Sequence, residues 1–167
     1  VPDVVPAGTG GEPASGVILD VTGHMVTAAA AEPHGHLDKA FSWERIEPPH
    51  GDLERAIESW HSYAATMTED DILTRARRAA GLMLAAGITA VRSHVDLLPG
   101  PDPLRGVRAL LRLRDELSGL MDLELVALGG WTADDDVFEA ALDAGVDLVG
   151  GAPHLAPDPF DDLDRIL

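Results

Sequence analysis

The 167-residue chain contains no cysteine, which removes disulfides and thiolate metal sites and leaves histidine, carboxylate and water as the available metal ligands. Lysine is almost as scarce, with Lys39 the only one. The formal charge of -17 at pH 7 sets up a negative field that repels phosphate backbones and anionic lipid, so neither nucleic acid nor a membrane is expected as a partner. A neutral or cationic small molecule suits that field better. No run approaches the roughly 18 continuous apolar residues of a membrane-spanning helix, and no basic-then-apolar leader opens the chain, so a cytoplasmic protein is expected. Phosphate-cradling G-x-G-x-x-G or G-x-x-x-x-G-K-[ST] loops follow none of the strand-like segments; Gly129-Gly130 is the nearest approach, and a nucleotide-binding doubly wound fold therefore has no support. The chain opens on Val1 and stops at Asp164-Arg165-Ile166-Leu167 inside a helical pattern, from which a piece of a longer protein is expected.

What is present is an alternation of strand and helix signals. Residues 1–16 are rich in Pro, Gly and small residues and read as loop, and Val17 to Gly23 as a short strand and turn. Val26 to Pro33 reads as a first, buried strand. Leu53 to Met67 carries apolar residues at helical spacing (Leu53, Ile57, Trp60, Ala64), and Thr68 with Asp71 resembles a capping box opening a second helix that runs to Gly87. Ile88 to Val95 is the second strand. Asp102 as N-cap and Pro103 at the first helical position start a helix ending near Gly119. Leu123 to Leu128 is the third strand, followed by a helix from Thr132 to Ala144 that Gly145 stops, and then by a fourth strand at Val146–Gly150. Strand-then-helix units of this kind build a parallel α/β sheet, and four of them make half of an eight-stranded barrel. At this length one cooperative unit is expected, with residues 1–25 as a loop-rich lead-in and residues 26–167 as the half-barrel.

The most informative run is Glu32-Pro33-His34-Gly35-His36-Leu37-Asp38-Lys39. Strand side chains alternate between faces, so His34 and His36 project together and offer two imidazoles to one metal ion. Two histidines so spaced are also found on surfaces with no metal; the apolar segment before them and the Asp-Lys pair after them favour the metal. In a barrel the chemistry belongs at the carboxyl ends of the strands, where His34, His36, Asp38, His94, Asp96 and His154 all fall. Arg92, His94 and Asp96 share parity opposite Val91 and Val95 and are expected inside the barrel, where a satisfied polar layer is favoured over substrate contact. Trp43, Trp60 and Trp131 are packing residues or ligand stackers, Trp131 being the best placed of them for a ligand. His24, His50 and His61 receive no function.

With those pieces in place, the chain resembles the amino-terminal half of the amidohydrolase superfamily, in its cytosine deaminase-like branch. Three stretches carry the resemblance: Glu32 to Ala40, Gly87 to Asp96, and Ala144 to His154. The lead-in from Val17 to Val26 is similar to the family's Asp-x-x-Gly-x-x-Val segment, which enters the barrel from a small β-sandwich. The resemblance implies the first four βα units of a (β/α)8 TIM-type barrel with a short N-terminal β-sandwich remnant. It implies one divalent ion, zinc or iron, held here by His34 and His36, with the remaining ligands and the catalytic acid/base groups beyond Leu167. Substrate-pocket candidates are then His94, Asp96, Trp131 and His154, and Asp38 and Lys39 are supporting partners of the site, with a plain surface ion pair the favoured account of Lys39. The implied activity is metal-dependent hydrolysis of C–N bonds, not peptide bonds, in cyclic amidines or amides that are pyrimidine- or triazine-like. Cytosine deaminases carry a glutamine after the third strand where this chain has Leu128-Gly129-Gly130-Trp131, which favours the broader class over cytosine. The alternatives are a non-catalytic metal-binding half-barrel that assembles through its open strand edges, as a homo-oligomer, and a metal-dependent phosphoesterase or nuclease.

Overall fold

Along Ile88–Asp96 (β2), Val91, Ser93 and Val95 are buried, Arg92 is exposed, and His94 and Asp96 are half-buried. One face of this strand is packed and the other opens outward, as the alternation of its side chains predicts. Asp122–Gly129 (β3) repeats the pattern beside it, with Leu123, Leu125 and Ala127 buried and Glu124 and Leu128 less so. The computed structural model describes residues 19–46, 51–98 and 100–167. Ala30–Gly35 (β1) and Leu148–Gly151 (β4) complete a four-stranded sheet in the order β1-β2-β3-β4, with every neighbouring pair parallel. The connections are helical: Leu53–Ala64 (α1) and Glu69–Ala85 (α2) before β2, Arg105–Glu116 (α3) before β3, Asp135–Ala144 (α4) before β4, and Pro159–Ile166 (α5) after it. Sequential parallel strands need such crossovers, and their fixed hand sends the helices to one side of the sheet.

The core lies between that side and the helices. Ile72 and Ala76 of α2, Val107, Leu110 and Leu113 of α3, and Val95 and Leu125 of the sheet are all fully buried. Each large side chain among them contributes about 1.5–3 kcal/mol by leaving water. Two arginines lie inside the packing without stranded donors. Arg75 donates to the carbonyls of Asp38 (2.8 Å) and Ala40 (2.6 Å) and to the Asp71 carboxylate (2.9 Å). Arg105 donates to the carbonyls of Met67, Ala64 and Asp102.

Helix ends follow local chemistry in several places. Thr68 caps α2 by accepting from Asp71 N, and Asp158 caps α5 by accepting from Phe160 N and Asp161 N. The Thr68 cap is one-sided rather than a full box, because the Asp71 carboxylate is occupied by Arg45 and Arg75. Gly145 ends α4 with φ +111, a left-handed conformation that glycine adopts without steric cost.

Several expected boundaries move. The third helix starts at Arg105, with Leu104 and not Asp102 at its N-cap. Leu98 N donates to the Pro103 carbonyl, which ties the preceding turn to the end of β2, and the Asp102 carboxylate turns to Arg108. The fourth helix starts after Asp134 rather than Thr132, since Ala133 N closes a turn onto Gly130 O. The fourth strand begins at Leu148, because Asp147 accepts from Leu125 N and pairs with Arg114 instead. The first strand spans Ala30–Gly35 rather than Val26–Pro33, and residues 26–31 are exposed rather than buried. As an edge strand β1 has β2 on one side only, so a small apolar composition does not suffice to bury it. The Val17–Gly23 strand falls partly outside the described residues. Within them, residues 19–29 hold a turn closed by His24 N onto Val21 O, and no strand.

Candidate metal centre

β1 delivers His34 near its end, and the chain passes through Gly35 to His36, which caps a 3-10 turn at Leu37–Lys39. Gly35 pairs with Ser93 across a register irregularity, and Leu37 N donates to Ser93 Oγ at 3.0 Å. These ties hold the end of β1 against β2 and bring a third imidazole, His94, alongside the first two. Ring centroids are 5.4 Å apart for His34 and His36, 4.2 Å for His34 and His94, and 5.5 Å for His36 and His94. One ring nitrogen from each lies within 4.8 Å of the other two. Among the described residues this is the one cluster of histidine and carboxylate groups with metal-binding geometry.

The donor set fits a divalent cation. Burial, with the Lys39 charge as the next cause, pushes His36 down from 6.5 to about 4, and burial, followed by the neighbouring His34, lowers His94 as well. Both are therefore neutral at physiological pH, the form in which imidazole ligates. The Nδ1 atoms of His36 and His94 are buried with no hydrogen-bond partner among the described residues. Buried polar atoms are ordinarily satisfied, so these two mark a place where a ligand is expected.

Around the histidines runs a set of partnered charges. Asp38 is fully buried, and its Oδ2 accepts from Asp96 N at 3.0 Å. Burial first, and the Asp96 charge second, push the Asp38 carboxyl up to about 7. Asp96 in turn accepts from Trp60 Nε1 at 2.6 Å and pairs with Lys39 Nζ at 2.9 Å. Lys39 also lies 5.2 Å from the Trp60 ring centroid, a cation–π distance. The Lys39–Asp96 pair is thus not the plain surface ion pair expected, since the Asp96 side chain is only 14% exposed. Asp96 is correspondingly engaged in holding the framework, Oδ2 by the Trp60 hydrogen bond and Oδ1 by its ion pair with Lys39. Trp60 serves the site as a hydrogen-bond donor to Asp96 rather than as a ligand stacker, and Arg75 was not among the sequence candidates. Each sits on the apolar stripe of its helix, and an arginine between Ile72, Ala76 and Ala79 was the available signal for Arg75.

The other candidates lie apart from the cluster. Trp131 is 48% exposed in the loop after β3. His154 is exposed in a 3-10 turn at Pro153–Leu155 after β4. His24 and His61 are exposed, and His50 is outside the described residues. A groove of about 690 Å³ lies at the opposite, amino-terminal ends of the strands, lined by Glu32, Ala90, Arg114, Asp122 and Asp147 among others, and it includes none of the three histidines.

No family model matches the chain. It is 30% identical to the pterin deaminase of Rhizobium rhizogenes (strain K84), over all of this chain and 39% of that protein. It is 29% identical over 147 residues to the N-isopropylammelide isopropyl amidohydrolase of Pseudomonas sp. (strain ADP), covering 80% of this chain and 35% of that one. Among solved structures, the 5-methylcytosine deaminase from Klebsiella pneumoniae liganded with 5-fluorocytosine superposes with a TM-score of 0.71 at 31% identity, over 81% of this chain and 34% of that one. The chain thus spans between a third and two fifths of the length of these relatives. It is homologous to amidohydrolase-type deaminases and corresponds to their amino-terminal part.

Proposed function

We propose that this chain forms the first four βα units of a (β/α)8 barrel in a metal-dependent amidohydrolase that cleaves C–N bonds, other than peptide bonds, in cyclic amidines or amides of the pyrimidine or triazine kind. The observation that carries the reading is the convergence of His34 and His36 at the carboxyl end of β1 in a parallel sheet. A divalent ion there, zinc or iron, supplies Lewis acidity and acidifies water near neutral pH. His34 and His36 hold it as neutral imidazoles. Asp38 and Lys39, through Asp96, fix the backbone that carries them. His94 borders the same space, and Trp131 and His154 belong to the loops at the same end of the sheet, where a ring substrate would enter. The proton-transfer groups are placed beyond Leu167.

A small-molecule substrate and a cytoplasmic setting agree with the charge of -17, and no helix among the described residues is long and apolar enough to cross a membrane. The same charge disfavours the phosphoesterase reading, because phosphodiesters would be repelled. The open edges of β1 and β4 favour one second reading, a metal-binding half-barrel whose role is assembly rather than catalysis.

The test is ammonia or amine release from aminopyrimidines and aminotriazines, with zinc or iron supplied. The 167-residue chain is expected to be inactive, whereas the product of its gene extended downstream turns over and loses activity in His34→Ala and His36→Ala. Hydrolysis of a generic phosphodiester by the extended product, with no C–N cleavage, would reverse the assignment.

A further inference from the structure

We infer that Trp60 is a positioning residue of the hydrolytic site, acting through Asp96 to fix the turn that presents His36. The inference rests on the reading that His34 and His36 bind the metal, and it brings α1 into the working of that site. Three observations carry it.

The first is the bond itself. Trp60 is 7% exposed, and its Nε1 donates to Asp96 Oδ2 at 2.6 Å. A hydrogen bond to an ionised acceptor is about twice as strong as a neutral one, whereas packing alone would be served by any large apolar side chain. The second is the closure of the group. Lys39 Nζ takes the other carboxylate oxygen at 2.9 Å and stands 5.2 Å from the Trp60 ring centroid, so Trp60, Asp96 and Lys39 each meet the other two. The third is the route to the metal pair. Asp96 N donates to Asp38 Oδ2 at 3.0 Å, and Asp38 and Lys39 belong to the Leu37–Lys39 turn that His36 caps. With the indole N–H gone, Asp96 Oδ2 loses its donor in a side chain only 14% exposed, and the carboxylate re-aims. A swing of Asp96 at the end of β2 then moves the backbone that aims a ligand.

Packing is the competing account, since Trp60 and Ala64 are the buried residues of α1. Removing the N–H while keeping a ring separates the two. The experiment uses the product of the gene extended downstream of Leu167, stripped of metal. Trp60→Phe keeps a ring beside Lys39 and loses only the donor. Zinc affinity, measured by competition with a chelator, is expected to fall about 10–100-fold, the cost of losing a partner that orients a ligand. The visible absorption of the cobalt(II)-loaded protein should change with it. In an Asp96→Ala background the same substitution should cost no further affinity, because its route to the metal is gone. β-(3-Benzothienyl)alanine in place of Trp60 puts sulfur where the N–H was at nearly unchanged volume. It should give the same loss, and it keeps the test open if the smaller ring of Trp60→Phe prevents folding.

Zinc affinity and cobalt spectrum as in wild type, with only the urea midpoint of the metal-free protein lowered, would overturn the inference and make Trp60 a packing residue. Equal losses with and without the Asp96 carboxylate would overturn it as well. In either case zinc lost in His34→Ala and His36→Ala leaves the metal pair standing, whereas unchanged zinc uptake in all of these variants would overturn both.

Discussion

At the residue scale, two side chains of the site carry opposite dependences on acidity. Asp38 is pushed up from 3.8 to about 7, so the folded chain binds its proton more tightly than the unfolded chain does. Its contribution to stability is therefore present at low pH and is lost as pH rises through the window from about 4 to about 7. His36 is held down from 6.5 to about 4, so the unfolded chain binds that proton more tightly. Stability is then lost as pH falls from about 6.5 toward about 4. In the metal-free wild-type chain the two slopes oppose each other. Asp38→Asn keeps an oxygen for Asp96 N and removes only the carboxyl titration. It should be more stable than wild type at mildly alkaline pH and should lose stability more steeply on acidification. Urea unfolding across that range checks this; parallel stability curves for the two proteins would show that the Asp38 carboxyl is not held protonated by its burial.

At the scale of elements, the site is held by side chains that cross from helix to loop. Arg75 of α2 binds the carbonyls of Asp38 and Ala40, which are otherwise turned inward against the helix. Arg75→Met preserves length and apolar contact but strands those carbonyls and a partner of Asp71. We expect a loss of about 2–4 kcal/mol in chemical denaturation, together with weaker zinc binding, because the turn after His36 loses its anchor. Retained affinity with lost stability would confine Arg75 to folding. A second element-level contact lies at the end of β3, where a Cβ on Gly129 would run into the ring of Phe138 on α4. Gly129→Ala should destabilise by about 1–3 kcal/mol through overpacking, and Gly129→Ala with Phe138→Leu should recover most of that loss.

For the molecule as a whole, the unclosed sheet dominates. Among the described residues, β1 and β4 each leave one backbone edge unpaired by another strand, and the face bearing Arg92, His94 and Glu124 has no helix layer over it. Unpaired edges template association, and a chain carrying -17 resists it by charge repulsion. Light scattering is expected to show a mass that rises with concentration, and more steeply at high salt as repulsion is screened. Leu148→Lys, a charge placed on exposed Leu148 at the β4 edge, should lower that association. A concentration-independent monomer at high salt would mean that the edges are covered by other parts of the chain.

The strands, their parallel connection and the helix stop at Gly145 were legible in the sequence because they depend on local chemistry: β-branched runs, apolar periodicity and a glycine with φ +111. Parity along β2 likewise assigned Val91 and Val95 to the packed face and Arg92, His94 and Asp96 to the other. The spacing of His34 and His36 sufficed to bring the two imidazoles together. The sequence could not place His94 beside that pair, because the distance depends on the register between β1 and β2, which is irregular between Glu32 and Gly35. Nor could it reveal the exposure of residues 26–31, since burial of a strand belongs to its neighbours rather than to its composition. The partners of Asp96 were hidden for the same reason. Lys39 and Trp60 are separated from it by 57 and 36 residues along the chain, and only the folding of α1 onto the end of β2 turns three scattered residues into one support for the histidines.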